Sequence, residues 1–284
     1  MPEKLHDSGR SYHLQCTGDA AETARAHSSK EAITLFGSCF CPFVQRVWIA
    51  LEHLGIDYEY YEVDPYKKPA ELLELSPKGL VPALRLNAHN PPKALNESTV
   101  IVDFLEELAV SNVKRSSHTT ESLFPPASDP YARALVRLQA DTIERTLVPA
   151  FYRYLQAQEE DKQIEGAKGF IEAIEGLVTL FKRAENEGYT EYGLWNARGS
   201  LSYADVMVAP WILRATNVLK HYRGFVWPES KEFQGYVERL LAHPAVKRTT
   251  STDQLYLDSY ERYAFNRPNT SQVANAINAG KALP

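Results

Sequence analysis

From Ala32 onward the hydrophobic period of the chain changes every few residues. Ile33, Thr34, Leu35 and Phe36 form a β-prone run closed by Gly37 and Ser38. After Pro42 the spacing lengthens, and Phe43, Val47, Ala50, Leu51 and Leu54 share one face of a helix. Pro42 suits the first helical position and Gly55 the position just past the last. Residues 57–63 alternate with aromatics and predict a second strand. Residues 67–75 predict a short helix beside Pro65 and Pro69. Residues 79–86 predict a third strand entered through Val81-Pro82, and Ala94-Leu95 a short fourth one ended by Asn96-Glu97-Ser98. Residues 99–109 place Val100, Phe104, Leu105 and Leu108 on one helical stripe.

The order β-α-β-α-β-β-α is a compact α/β unit. Residues 111–130 are rich in Ser, Thr and Pro, and Phe124-Pro125-Pro126 reads as a linker. Beyond it the strand signal fades. Residues 131–158, 166–186, 203–219, 231–242 and 251–263 all predict helices. The expected organisation is a flexible N-terminal extension over residues 1–30, an α/β domain over 31–112, a linker over 113–129, an all-helical domain over 130–265 and a loose polar tail over 266–284.

Composition narrows the function classes. Of 284 residues, 44% are hydrophobic and 24% charged, which suffices for a real core. The net charge of −5 offers no basic face for a nucleic acid. No apolar run approaches the roughly 20 residues of a membrane span. The three cysteines, Cys16, Cys39 and Cys41, make a poor disulfide framework and fit a reducing compartment. Residues 1–30 lack an apolar signal core and carry Glu3, Asp7, Asp19 and Glu22, against a secretory or mitochondrial leader. The cytoplasm is the expected location.

Cys41 carries the candidate chemistry. It sits just before Pro42 and the first long helix, where the helix N-terminus favours an anion. Cysteines in that setting ionise at about 3.5–7.5, against about 8.5 when free. The other reading of the local pattern is a buried structural cysteine. Cys39 is the rival sulfur, but it precedes the loop and gains less from the helix. A dithiol of the helix-start type needs its second cysteine three residues on, where Val44 stands, so an external thiol would resolve any mixed disulfide.

Cys41-Pro42-Phe43-Val44-Gln45-Arg46-Val47, Gly79-Leu80-Val81-Pro82-Ala83-Leu84 and Asn96-Glu97-Ser98 together resemble the glutathione transferase superfamily. The Cys-Pro-Phe start is similar to its omega class, with plant lambda and dehydroascorbate reductase classes close by. Ser202-Tyr203-Ala204-Asp205 is similar to the family's capping motif in the helical domain. The resemblance implies a thioredoxin-like N-terminal domain, an all-α C-terminal domain and a cytoplasmic homodimer. It implies glutathione as co-substrate, no metal, and a small hydrophobic or disulfide second substrate. It also implies that Cys41 forms a mixed disulfide with glutathione, giving deglutathionylation, disulfide reduction or dehydroascorbate reduction.

Site residues carry over on matching positions. Phe43, Lys68, Val81, Pro82, Glu97 and Ser98 are the implied glutathione-binding set. Ser98 and its helix start suit a γ-glutamyl carboxylate, Glu97 the neighbouring ammonium, the Val81 backbone the cysteinyl unit. Lys68 suits the glycyl carboxylate, with Lys67 next to it as the alternative. The family keeps Pro82 cis. Arg46 is expected in a structural ion pair. Trp211, Arg214 and Tyr131 are the pocket candidates for the second substrate, with Phe151 and Tyr152 beside them. Ser202 and Asp205 read as a helix cap. A non-catalytic protein that binds glutathione on the same fold remains the alternative function.

Overall fold

The structure, a computed structural model, describes residues 12–111, 122–268 and 270–284. The first element is a helix, α1 (Gly18–Ala26). Then follow β1 (Ile33–Gly37), α2 (Pro42–Leu54), β2 (Glu59–Glu62), α3 (Ala70–Leu75), β3 (Ala83–Leu86), β4 (Lys93–Asn96) and α4 (Ser98–Val110). The strands form one sheet in the order β2-β1-β3-β4. β1 runs parallel to β2 and antiparallel to β3, and β3 pairs antiparallel with β4. This is a thioredoxin-like sheet, with β1 in the middle and all five of its residues buried.

α2 is buried on nearly every side, not on one stripe. It packs on α4 and on the helical half, where Gln45 Nε2 donates to the Thr249 carbonyl at 3.1 Å and Arg46 Nε to the Met207 carbonyl at 2.9 Å. Each large apolar side chain so buried contributes roughly 1.5–3 kcal/mol. Gly55 ends the helix in the left-handed conformation, φ 61°, which a side chain would resist.

The helical half begins with α5 (Pro130–Thr142), which passes through a π-helical segment (Ile143–Leu147) into α6 (Val148–Gln156). α7 (Glu160–Asn186) packs along both α5 and α6. α8 (Tyr203–Arg214) is buried over its whole length and continues through a second π-helical segment (Ala215–Leu219) into α9 (Lys220–Arg223). α10 (Lys231–Ala242), α11 (Pro244–Arg248), α12 (Asp253–Ala264) and α13 (Gln272–Asn278) complete it. α8 starts with a full capping box between Ser202 and Asp205, as its sequence predicts.

Three expectations change. Residues 12–30 are not a flexible extension. Ala20 is buried, its N–H donates to the Thr250 carbonyl at 3.1 Å, and Thr23 Oγ1 donates to the Arg248 carbonyl at 2.7 Å. Residues 1–11 lie outside the described residues. The tail after residue 266 is not loose: α13 buries Ala274, and Asn278 accepts from Gln156 Nε2 at 3.0 Å. In the linker, Leu123 and Phe124 are buried, with Phe124 stacked on Tyr203 at 4.7 Å. Residues 113–121 of that linker lie outside the described residues. In each case a few apolar side chains anchor a stretch whose average composition is polar.

Candidate active site

Cys41 occupies the cap position of α2, with Pro42 as the first helical residue. Its side chain makes no cap hydrogen bond. Its thiol faces the Val81 carbonyl, Sγ to O 3.8 Å. Cys41 is partly accessible, whereas Cys16 and Cys39 are buried, and all three are free thiols. The Val81–Pro82 peptide is cis.

Burial is the largest influence on the Cys41 thiol and pushes it up. The backbone N–H groups of Val44 and Phe43 pull it down, followed by the guanidinium groups of Arg214 and Arg46. The net direction is upward, so the low-pKa thiol expected from the helix start alone is corrected here. The helix end does act on the sulfur, but the same packing that brings the N–H groups close removes water from the ion.

Cys39 lives in the opposite field. Its N–H donates to Glu62 Oε1 at 2.8 Å, and Cys16 Sγ donates to Glu62 Oε2 at 3.3 Å. Burial and then the Glu62 carboxylate push both thiols far up. Burial lifts Glu62 itself to about 7.

A cleft of about 750 Å³ opens in front of Cys41. That lies within the roughly 300–1,000 Å³ of small-molecule sites. Phe43, Lys68, Val81, Pro82, Glu97 and Ser98 all line it with Cys41. α4 starts beside it in an unusual way. Glu97 holds φ 68°, a left-handed conformation that a non-glycine residue adopts at a cost of order 1–3 kcal/mol. Ser98 follows, with its Oγ accepting from Arg46 Nη1 at 3.4 Å. Lys68 Nζ donates to the Lys78 carbonyl at 3.3 Å. Gly79, at φ 61°, leaves room for that side chain, since a Cβ there would fall 2.6 Å from Lys68 Cδ. Arg46 is fully buried and pairs with Glu144, which projects from the first π-helical segment into the cleft.

The helical side of the cleft differs from the sequence reading. Trp211 is fully buried, with the Arg46 guanidinium 4.2 Å from its ring centroid and Phe43 edge-on at 5.1 Å. Arg214 is fully buried behind the Cys41 loop. Tyr131 lies exposed and bonds to Arg183 of α7 and to Glu187 just past its end. None of the three lines the cleft, and Phe151 is core. Tyr152 does line it, joined by Tyr260 and Tyr263, by Gln272 and Val273 of α13, and by Leu283. Tyr260 and Tyr263 sit at helical spacing in α12, the sequence signal that marks this wall. Nothing in the sequence points to Glu144.

Among the described residues no group of His, Cys, Asp or Glu is placed to hold a metal ion. Among them, too, no helix is long and apolar enough to cross a membrane.

A family model described as "Glutathione S-transferase, N-terminal domain" matches residues 35–112. A "Probable glutathione S-transferase" of Glycine max is 30% identical over 65% of this chain and 73% of that protein. The "Pyrimidodiazepine synthase" of Drosophila melanogaster is 25% identical over 84% of this chain and 88% of that one. Among solved structures, glutathione transferase Omega 3C from Trametes versicolor superposes with a TM-score of 0.73 and 34% identity, covering 89% of this chain and 98% of that one.

Proposed function

The chain belongs to the glutathione transferase family, and from that premise we propose a glutathione-dependent thiol transferase or reductase of the omega-like kind that works through Cys41. One observation carries this reading: a single cleft holds the thiol at a helix start together with Lys68, Val81, Glu97 and Ser98. The donor set fits the tripeptide. Lys68 and the N–H groups at the start of α4, with the Ser98 hydroxyl, suit its two carboxylates. Glu97 suits its ammonium, and the Val81 backbone suits its central amide.

In this reading the Cys41 thiolate attacks the glutathionyl sulfur of a mixed disulfide. A Cys41–glutathione disulfide forms, the substrate S–S bond breaks, and the departing thiolate takes a proton. Cys41 is then the leaving thiolate in a second exchange with free glutathione, which yields glutathione disulfide. Because burial holds the thiol up, its ionised fraction climbs by about tenfold per pH unit below its pKa, and turnover rises toward alkaline pH. Omega-like selectivity, a cytoplasmic setting and a homodimer belong to the same proposal.

The test is glutathione-dependent reduction of a small mixed disulfide and of dehydroascorbate by wild type, Cys41→Ser and Cys39→Ser, with mass spectrometry of the enzyme. Loss only in Cys41→Ser, with a glutathionyl adduct on Cys41 in wild type, is the expected result. Glutathione binding without turnover in all three would make the protein a non-catalytic binder. Activity that follows Cys39 instead would assign the wrong sulfur.

A further inference from the structure

Two guanidinium groups lie buried near Cys41, and their surroundings differ. Arg46 pairs with the Glu144 carboxylate. Arg214, at the end of α8, is buried as deeply but meets neutral acceptors. Its Nε donates to Tyr260 Oη at 2.7 Å, and its Nη1 to Gln45 Oε1 at 2.6 Å and the Pro210 carbonyl at 2.9 Å. Its Nη2 donates to the Phe40 carbonyl at 3.0 Å. Its guanidinium also lies 4.6 Å from the Tyr256 ring centroid. Among the described residues no carboxylate pairs with it. Neutral acceptors satisfy its N–H groups but leave the buried positive charge uncompensated, an arrangement that favours an anion beside it.

The bonds show where. Phe40 is the residue before Cys41, and Gln45 lies one turn into α2, so the guanidinium grips the chain on both sides of the sulfur. The titratable groups coupled to the Cys41 sulfur are Cys39 and Arg46 from its own stretch, Arg214 from α8, Tyr152 from α6, and Tyr260 and Tyr263 from α12, and Lys68, Glu97 and Glu144 line the same cleft. Cys41 is the acid that adjoins Phe40, which Arg214 grips, at a helix N-terminus open to the cleft.

We propose that Arg214 is the positioning residue for Cys41: it fixes the loop that presents the sulfur and supplies the unpaired positive charge that the thiolate balances. Arg214 thus acts from behind the thiol and does not touch substrate. This rests on the reading of Cys41 as the reacting group.

The experiment is the pH dependence of Cys41 alkylation by iodoacetamide, located by mass spectrometry, in wild type, Arg214→Lys and Arg214→Met. The midpoint in Arg214→Met should rise by about one pH unit or more, with about a tenfold slower reaction at pH 7. Arg214→Lys, which keeps the charge, should stay closer to wild type than Arg214→Met does. An unmoved midpoint in a folded Arg214→Met overturns the proposal. If Arg214→Met does not fold, Arg214→Gln is read by the same alkylation profile: a raised midpoint supports the cation, and an unmoved one overturns it. A moved midpoint in a protein without turnover supports Arg214 and sinks the thiol-transferase reading. Turnover with an unmoved midpoint does the reverse.

Discussion

The starts of α2 and α8 are built from similar parts for different ends. At α8 the cap is saturated. Ser202 Oγ accepts from the Asp205 N–H, and Asp205 Oδ2 accepts from the Ser202 and Leu194 N–H groups at 2.9 Å each. Tyr236 Oη donates to Asp205 Oδ1 at 2.9 Å. At α2 the cap residue is Cys41, which makes no such bond, and the N–H groups of Phe43 and Val44 act on its sulfur. The first arrangement spends every polar group on holding α8, the 194–202 loop and α10 together. The second leaves a helix end to act on a reactive atom. A helix start therefore serves structure or chemistry according to whether its N–H groups are already taken by a side-chain oxygen.

The hardest way to break the comparison is Asp205→Ala. It strands four donors in a site with no water access. The expected loss of stability is about 3 kcal/mol or more, read from urea unfolding. Activity per folded molecule should persist. A loss below about 1 kcal/mol would show that the α8 cap is not the structural element its bonds describe.

The next test works beside α2, where Cys39 sits two residues from Cys41 yet faces a carboxylate. Burial raises Glu62 to about 7 from an ordinary 4.5. Below about pH 4.5 the group is protonated in folded and unfolded chains alike. Between about pH 4.5 and 7 the unfolded chain has released this proton while the folded chain still holds it, so stability falls across that window and levels off above it. The sum is up to about 3 kcal/mol. Glu62→Gln should remove this portion of the pH dependence, so its urea midpoints between pH 5 and 8 should fall less than those of wild type. Parallel curves would mean that Glu62 ionises in the folded protein as it does in water.

The N-terminal wall of the cleft was legible because short, local signals define it. Cys41-Pro42 marks a helix start, Val81-Pro82 a strand entry and Glu97-Ser98 a second helix start, and each stays within a few residues of the atoms it positions. The helical wall was not. Trp211 and Arg214 fall on a helix buried all round, so periodicity cannot tell which side faces a cavity. Glu144 reaches the cleft through a π-helical segment, which carries no hydrophobic signature of its own. α1 and α13 were hidden for a related reason. Each is short, and each is held by small buried residues, Ala20 and Thr23 or Ala274, plus hydrogen bonds to residues far away in the sequence.

The smallest expected effect separates the two helix starts most cleanly. Ser202→Ala removes a side-chain cap and should cost about 1 kcal/mol, with the reaction rate of Cys41 toward iodoacetamide unchanged. Cys41→Ser removes the sulfur but offers a hydroxyl at a position where serine is a favoured cap. Its stability should therefore match wild type within about 0.5 kcal/mol or exceed it, while labelling at position 41 disappears. Both quantities come from one pair of urea titrations and one mass spectrum. If Cys41→Ser instead destabilised the protein by as much as Ser202→Ala, the thiol would be contributing to the fold in its own right. The α2 start would then be a structural cap like that of α8, and the division between them would fail.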